Sequence, residues 1–193
     1  MPLEQRREAI LDAALELFST QGVGGVTMEA LAGKAEVTKP VVYGAFPNAP
    51  AVLEALIRRE QQRAFEQATA LLPTDADLTD PEAVTVAGLH GFFAAVRERP
   101  ATWQLFLSGA NLPKSAAAAT AEARRYLVDQ LASLAQVAMA DRPSGPLDPE
   151  LTAQLMVAGM ENGARLVIED PEAFSDERLA PFVTALVRAF IQG

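Results

Sequence analysis

Cysteine is absent from the 193 residues and histidine occurs once, at His90. Disulfides, thiolate metal sites and thiol nucleophiles are therefore excluded, and neither a multi-histidine zinc site nor a histidine-based catalytic triad with any redundancy can be assembled. No metal or other cofactor is expected, and a reducing compartment is the simplest fit. Long apolar runs are missing too. No stretch of 18 or more apolar residues occurs, so no membrane-spanning helix is expected. The stretch after Arg6 and Arg7 is broken by Glu8, Asp12 and Glu16, unlike a signal peptide, which leaves a cytoplasmic protein as the expectation. Basic residues are also scarce, 16 against 25 acidic ones, for a formal charge of −9. Taken alone, that balance argues against a nucleic-acid partner, because phosphate binding draws on Lys and Arg.

What is present points to helices. Half of the residues are apolar, 21% are charged and 37 are alanine, a strong local preference for helix. The length allows one domain, or a small and a medium one. Ile10, Ala14, Leu17 and Phe18 recur at helical spacing from Leu3 to Thr20, and Gly22, Gly24 and Gly25 end the segment. Thr27 and Thr38 each stand as an N-cap before a short apolar segment, Met28 to Ala35 and a second one ending at Phe46. Further helices are expected from Asn48 to about Leu72, from Pro81 to Pro100, around Trp103 to Leu107, and from about Leu127 to Ala138. The last two run from Asp148 to Glu169 and from Ser175 to Ile191. These two carry apolar residues on more than one side and so need two partners, one of them plausibly a second copy of the chain.

The run TMEALAGKAEVTKPVVYGAF, Thr27 to Phe46, has the punctuation of a helix-turn-helix unit: a capped helix, a turn of about four residues and a second capped helix. On the second helix Val42 and Phe46 face the core. Lys39, Pro40, Val41, Tyr43, Gly44 and Ala45 are left on or beside the outer face, suited to a major groove. With its flanks REAILDAALELFSTQGVGGV and PNAPAVLEAL, this run resembles the N-terminal domain of the TetR family of bacterial transcriptional regulators.

The resemblance implies an all-α fold of about nine helices: a three-helix DNA-binding domain over residues 1–47 and a helical effector-binding and dimerisation domain over 48–193, with the helix at 48–72 connecting them. It implies a homodimeric, ligand-responsive regulator, commonly a repressor, that binds a double-stranded operator and is not an enzyme. By position, Thr27, Thr38 and Tyr43 would touch phosphates and Lys39 a phosphate or a guanine edge, with Arg6 and Arg7 as further candidates. The family often has Gly in the turn where Glu36 stands, and often Lys where Ala49 stands. Gly44 and Ala45 carry no hydrogen-bonding side chains, so Lys39 is expected to supply most of the direct base reading and groove shape the rest.

For the effector, the resemblance implies a cavity among the later helices, and the candidates are His90, Phe93, Trp103, Phe106, Asn111, Tyr126, Met156, Met160 and Asn162. Such a lining suits a largely apolar small molecule. The dimer interface is expected at Leu155, Gly159, Gly163, Phe182, Leu186 and Phe190. Two other functions fit a helical chain: an adaptor or regulator controlled by a protein partner, and a cofactor-independent enzyme using the same cavity. The second is weakened by the lack of any nucleophile, base and orienter at a recognisable spacing.

The charge distribution bears on the DNA reading. Up to Arg63 there are 7 basic and 8 acidic residues, and beyond it 9 and 17. The acidity thus lies almost wholly outside the helix-turn-helix segment. A near-neutral module still implies weak non-specific binding, modest salt dependence and reliance on a dimer.

Overall fold

The computed structural model describes residues 2–70, 80–109, 112–140, 145 and 147–192. Among them it is all-helical, with nine α-helices, one 3₁₀ turn and no strand. Helix α1 is Leu3–Gln21, followed by the 3₁₀ turn Val23–Gly25, α2 (Met28–Lys34), α3 (Lys39–Ala45) and α4 (Ala49–Ala70). Then come α5 (Pro81–Glu98), α6 (Pro100–Leu107), α7 (Lys114–Ala138), α8 (Pro149–Glu169) and α9 (Asp176–Gln192).

The starts follow from side-chain chemistry. Thr27, Asp80 and Asp148 each accept a hydrogen bond from the backbone N–H three residues on, of Ala30, Ala83 and Leu151, and Pro81 and Pro149 occupy the first turns of α5 and α8. Each satisfied cap is worth about 1 kcal/mol. Helix α7 begins thirteen residues before Leu127, at Lys114, because the alanine run at 116–119 is itself part of it. The expected stop of α4 at Pro73 and the loop after it lie outside the described residues, as does Pro143.

The chain divides into two compact units. The first is Met1–Arg63 with Ala101–Glu122, and the second is Ala64–Pro100 with Ala123–Gly193. Packing therefore does not follow the expected division after residue 47. Leu105 of α6 and Ala116 of α7 are fully buried in the same core as Ile10, Leu31, Val42, Leu56 and Ile57. In the second unit α5 packs on α8 and α9. Gly163 of α8 leaves room for that packing, since a Cβ there would lie 2.7 Å from the Phe93 ring of α5. Gly163, expected at the dimer interface, thus has the Phe93 ring beside it and borders the same hollow as Gly159.

A polar network crosses the first unit. Glu60 of α4 is fully buried and accepts hydrogen bonds from Thr102 Oγ1 of α6 at 2.6 Å, Arg59 Nε at 3.0 Å and Arg63 Nη1 at 3.2 Å. Arg59 reaches on to α1, meeting Asp12 at 2.7 Å and Glu8 at 3.2 Å. Three helices are thereby fixed to one another through one buried carboxylate.

Candidate nucleic-acid interface

The helix-turn-helix is built on a buried side and an open side. Leu31, Val42 and Phe46 sink into the core, which leaves Thr27, Thr38, Lys39, Pro40, Tyr43 and Gly44 exposed. Val41 and Ala45 are half-buried, and Ala45 packs against the core. Thr38 occupies the N-cap position of α3, yet its hydroxyl makes no cap hydrogen bond, in contrast to Thr27. Beyond its chain neighbours and its own helix backbone, nothing lies within 4 Å of the place a Gly44 Cβ would occupy, so this position is open to a close neighbour.

The turn between α2 and α3 closes with paired backbone bonds. Val37 N donates to Ala32 O at 3.0 Å and Glu36 N to Gly33 O at 3.3 Å, which requires Glu36 to be left-handed at φ 54°. A side chain there costs about 1–2 kcal/mol, and glycine would return part of that gain through the extra freedom of its unfolded chain, about 0.5–1 kcal/mol. Glu36→Gly is accordingly expected to stabilise the protein by about 0.5–1 kcal/mol, read as a higher urea midpoint at unchanged slope.

The charges on this surface are engaged with one another. Lys39 Nζ lies 2.8 Å from Glu29 Oε1, joining the first turn of α2 to the first residue of α3. That ammonium, by hydrogen bond and then by charge, holds the Glu29 carboxyl below its ordinary value of 4.5. Its contribution to stability is therefore complete above that value and is lost as the pH falls through the lowered one. Lys34 pairs with Glu16, and Arg58 with Glu54 at 3.0 Å. Arg7 donates to the Ala45 carbonyl at 2.6 Å and lies 4.2 Å from the centroid of the Phe46 ring, so it completes the C-terminal end of α3. Arg6 is half-buried and also has partners within the protein.

The second unit holds an apolar hollow of about 730 Å³ between α5, α7, α8 and α9. Of the expected effector residues Phe93, Met156, Met160 and Asn162 line it, together with Leu131, Met139, Phe174 and Arg178. His90 instead borders a smaller hollow of about 260 Å³ beside Asp176 and Val183. Trp103 and Phe106 belong to the first unit, stacked edge to face at 5.6 Å, and Tyr126 is exposed on α7. Asn111 lies outside the described residues. Leu155, Gly159, Phe182, Leu186 and Phe190 border the large hollow as well, and Leu155 and Phe182 are 64% and 62% exposed. Among the described residues no three His, Asp or Glu side chains are grouped to hold a metal ion, and no helix is long and apolar enough to cross a membrane.

Residues 10–56 match the family described as bacterial regulatory proteins, tetR family. That segment is a TetR-family DNA-binding domain. It is 43% identical over 58 residues to the HTH-type transcriptional regulator SrpR of Pseudomonas putida, a match covering 30% of this chain and 27% of that protein. The chain spans less than half the length of the curated relatives it matches. Over its whole length it shares the TetR-like fold. A TetR-like transcriptional regulator from Rhodococcus sp. RHA1 superposes with a TM-score of 0.80 at 24% identity, covering 98% of this chain and 97% of that one. The structure of AibR in complex with isovaleryl coenzyme A and operator DNA does so with a TM-score of 0.75 at 21% identity, covering 96% and 98%.

Proposed function

We propose that the protein is a dimeric, ligand-responsive DNA-binding regulator of transcription. In this reading it is a repressor that a largely apolar small molecule releases from a palindromic operator. The observation that carries it is the two-sided helix-turn-helix, in which Leu31, Val42 and Phe46 are buried and Thr27, Thr38, Lys39 and Tyr43 project outward together. Hydroxyls at the threonines and tyrosine suit phosphates, and the lysine at the start of α3 suits a guanine edge. The reading includes no catalytic step.

Two features of the second unit support the remainder. The hollow of about 730 Å³ has the size of a small-molecule site, with Asn162 and Arg178 as polar groups among apolar walls. Leu151, Leu155, Phe182 and Leu186 make an exposed apolar stripe on α8 and α9, the face on which a second copy would pack. AibR, similar in fold, has been seen with both an acyl thioester and operator DNA, so one TetR-like chain can hold both kinds of ligand. In a dimer, effector binding would change the separation of the two recognition helices from the groove repeat of about 34 Å.

The test is a titration of the protein against a duplex selected from a random pool and against random duplex of equal length. Lys39→Ala is expected to lose about tenfold or more of the discrimination between them. A variant with wild-type discrimination would contradict the role given to α3.

A further inference from the structure

The DNA-reading surface is unusual in what faces its lysine. Glu29 sits in the first turn of α2 with its side chain 78% exposed, and Lys39 beside it is 54% exposed. Neither is held by burial, so their meeting at 2.8 Å sets a neutral carboxylate–ammonium couple on the open side of the helix-turn-helix, between Thr27 and Tyr43 in sequence. Within residues 1–63 there is little other positive charge to replace it. Lys34, Arg58, Arg59 and Arg63 are each paired with carboxylates of the same unit, and Arg7 is spent on the end of α3.

A duplex presents two different surfaces to such a couple. Its phosphates attract the ammonium and repel the carboxylate, so a neutral pair gains little from the backbone. The major-groove edge of a G·C pair presents guanine O6 and N7 as acceptors next to the cytosine N4 amino group as donor. An ammonium and a carboxylate side by side match both at once. An A·T pair presents in order the adenine N7 acceptor, the N6 amino donor, the thymine O4 acceptor and the methyl group, so its donor lies between two acceptors and not beyond them as in G·C, and a couple set for one order meets the wrong partners in the other.

We propose that Glu29 is a specificity-determining residue of the DNA-reading surface: it neutralises Lys39 against the phosphate backbone and, with it, presents a matched acceptor and donor to a G·C pair in the major groove. This rests on the DNA-binding reading above and adds to it a residue that works by subtraction. Most acidic side chains near DNA only weaken binding. Glu29 weakens binding to every sequence but least to the one in which its carboxylate finds an amino group.

Glu29→Gln tests this, because it removes the charge while keeping the shape, and an exposed pair of this kind contributes too little to folding for the variant to unfold. The wild type and the variant are titrated over a range of salt against three duplexes: random sequence, a sequence selected by the wild type, and that sequence with its G·C pairs replaced one at a time by A·T. The variant is expected to bind random duplex about fivefold more tightly per engaged subunit near physiological salt, with the log–log salt slope steeper by about one per subunit. It is also expected to lose about tenfold of its preference at one G·C pair in each half-site. An unchanged slope and unchanged random-duplex affinity, with a wild type that still discriminates, would overturn the proposal and leave the DNA-binding reading standing. A steeper slope with the base preference intact would overturn the G·C contact. A wild type that selects no sequence at all would overturn the reading beneath both.

Discussion

Replacing Arg59 by methionine is expected to lower the stability of the first unit by about 3 kcal/mol. The reason is the residue that would be left behind. Glu60 is fully buried, and Arg59 supplies it with a hydrogen bond at 3.0 Å and a second contact at 2.9 Å. Without Arg59 the carboxylate retains Thr102 and Arg63 among its partners, which places the loss at the lower end of the range of about 3–5 kcal/mol for a broken buried pair. The exposed pairs that Arg59 makes with Glu8 and Asp12 add little.

The double variant Arg59→Met, Glu60→Met separates the two sources of that loss. Removing both charges leaves no uncompensated carboxylate, so the double variant is expected to be more stable than Arg59→Met alone. Trp103 is the sole tryptophan and lies in the first unit, so its fluorescence in urea reports on this unit by itself. A double variant less stable than the single one would show that Thr102 and Arg63 compensate the Glu60 carboxylate without Arg59.

The second large effect concerns association. Leu155→Asp combined with Phe182→Asp is expected to give a folded monomer whose affinity for a selected duplex falls about a thousandfold or more, toward its affinity for random DNA. Both side chains are more than half exposed in the single chain, so neither substitution disturbs the core. In a dimer each would place a carboxylate in an apolar contact, where its desolvation opposes association. Sedimentation and circular dichroism read the two halves of the claim separately. A dimer that survives both substitutions would move the interface away from this stripe.

Much of the helix order was legible in the sequence. Helix starts announce themselves locally, and so Thr27, Pro81 and Asp148 mark them from residue type alone, while Thr38 holds the cap position without the cap bond. The left-handed turn was visible as Glu36 in a place suited to glycine, and the structure carries it at φ 54°. Other features depend on contacts that periodicity cannot see. Trp103 and Phe106 have the pattern of a core helix, but a pattern does not say which core, and α6 joins the first unit. Gly163 lies four residues from Gly159, a spacing that suggests one face, yet the Phe93 ring claims the space beside it. The pairing of Glu29 with Lys39 crosses a turn between residues ten apart, a distance at which neither helical spacing nor composition carries a signal.

Whether the Thr27–Phe46 unit reads DNA as half of a symmetric pair is decided by footprinting the protein on the DNA flanking its own gene and on duplexes it selects from a random pool. The expected result is a protected, two-fold symmetric site with half-sites centred about 34 Å apart on one face of the duplex. Failure to protect any duplex in either set, at protein concentrations where the chain is folded, would contradict it.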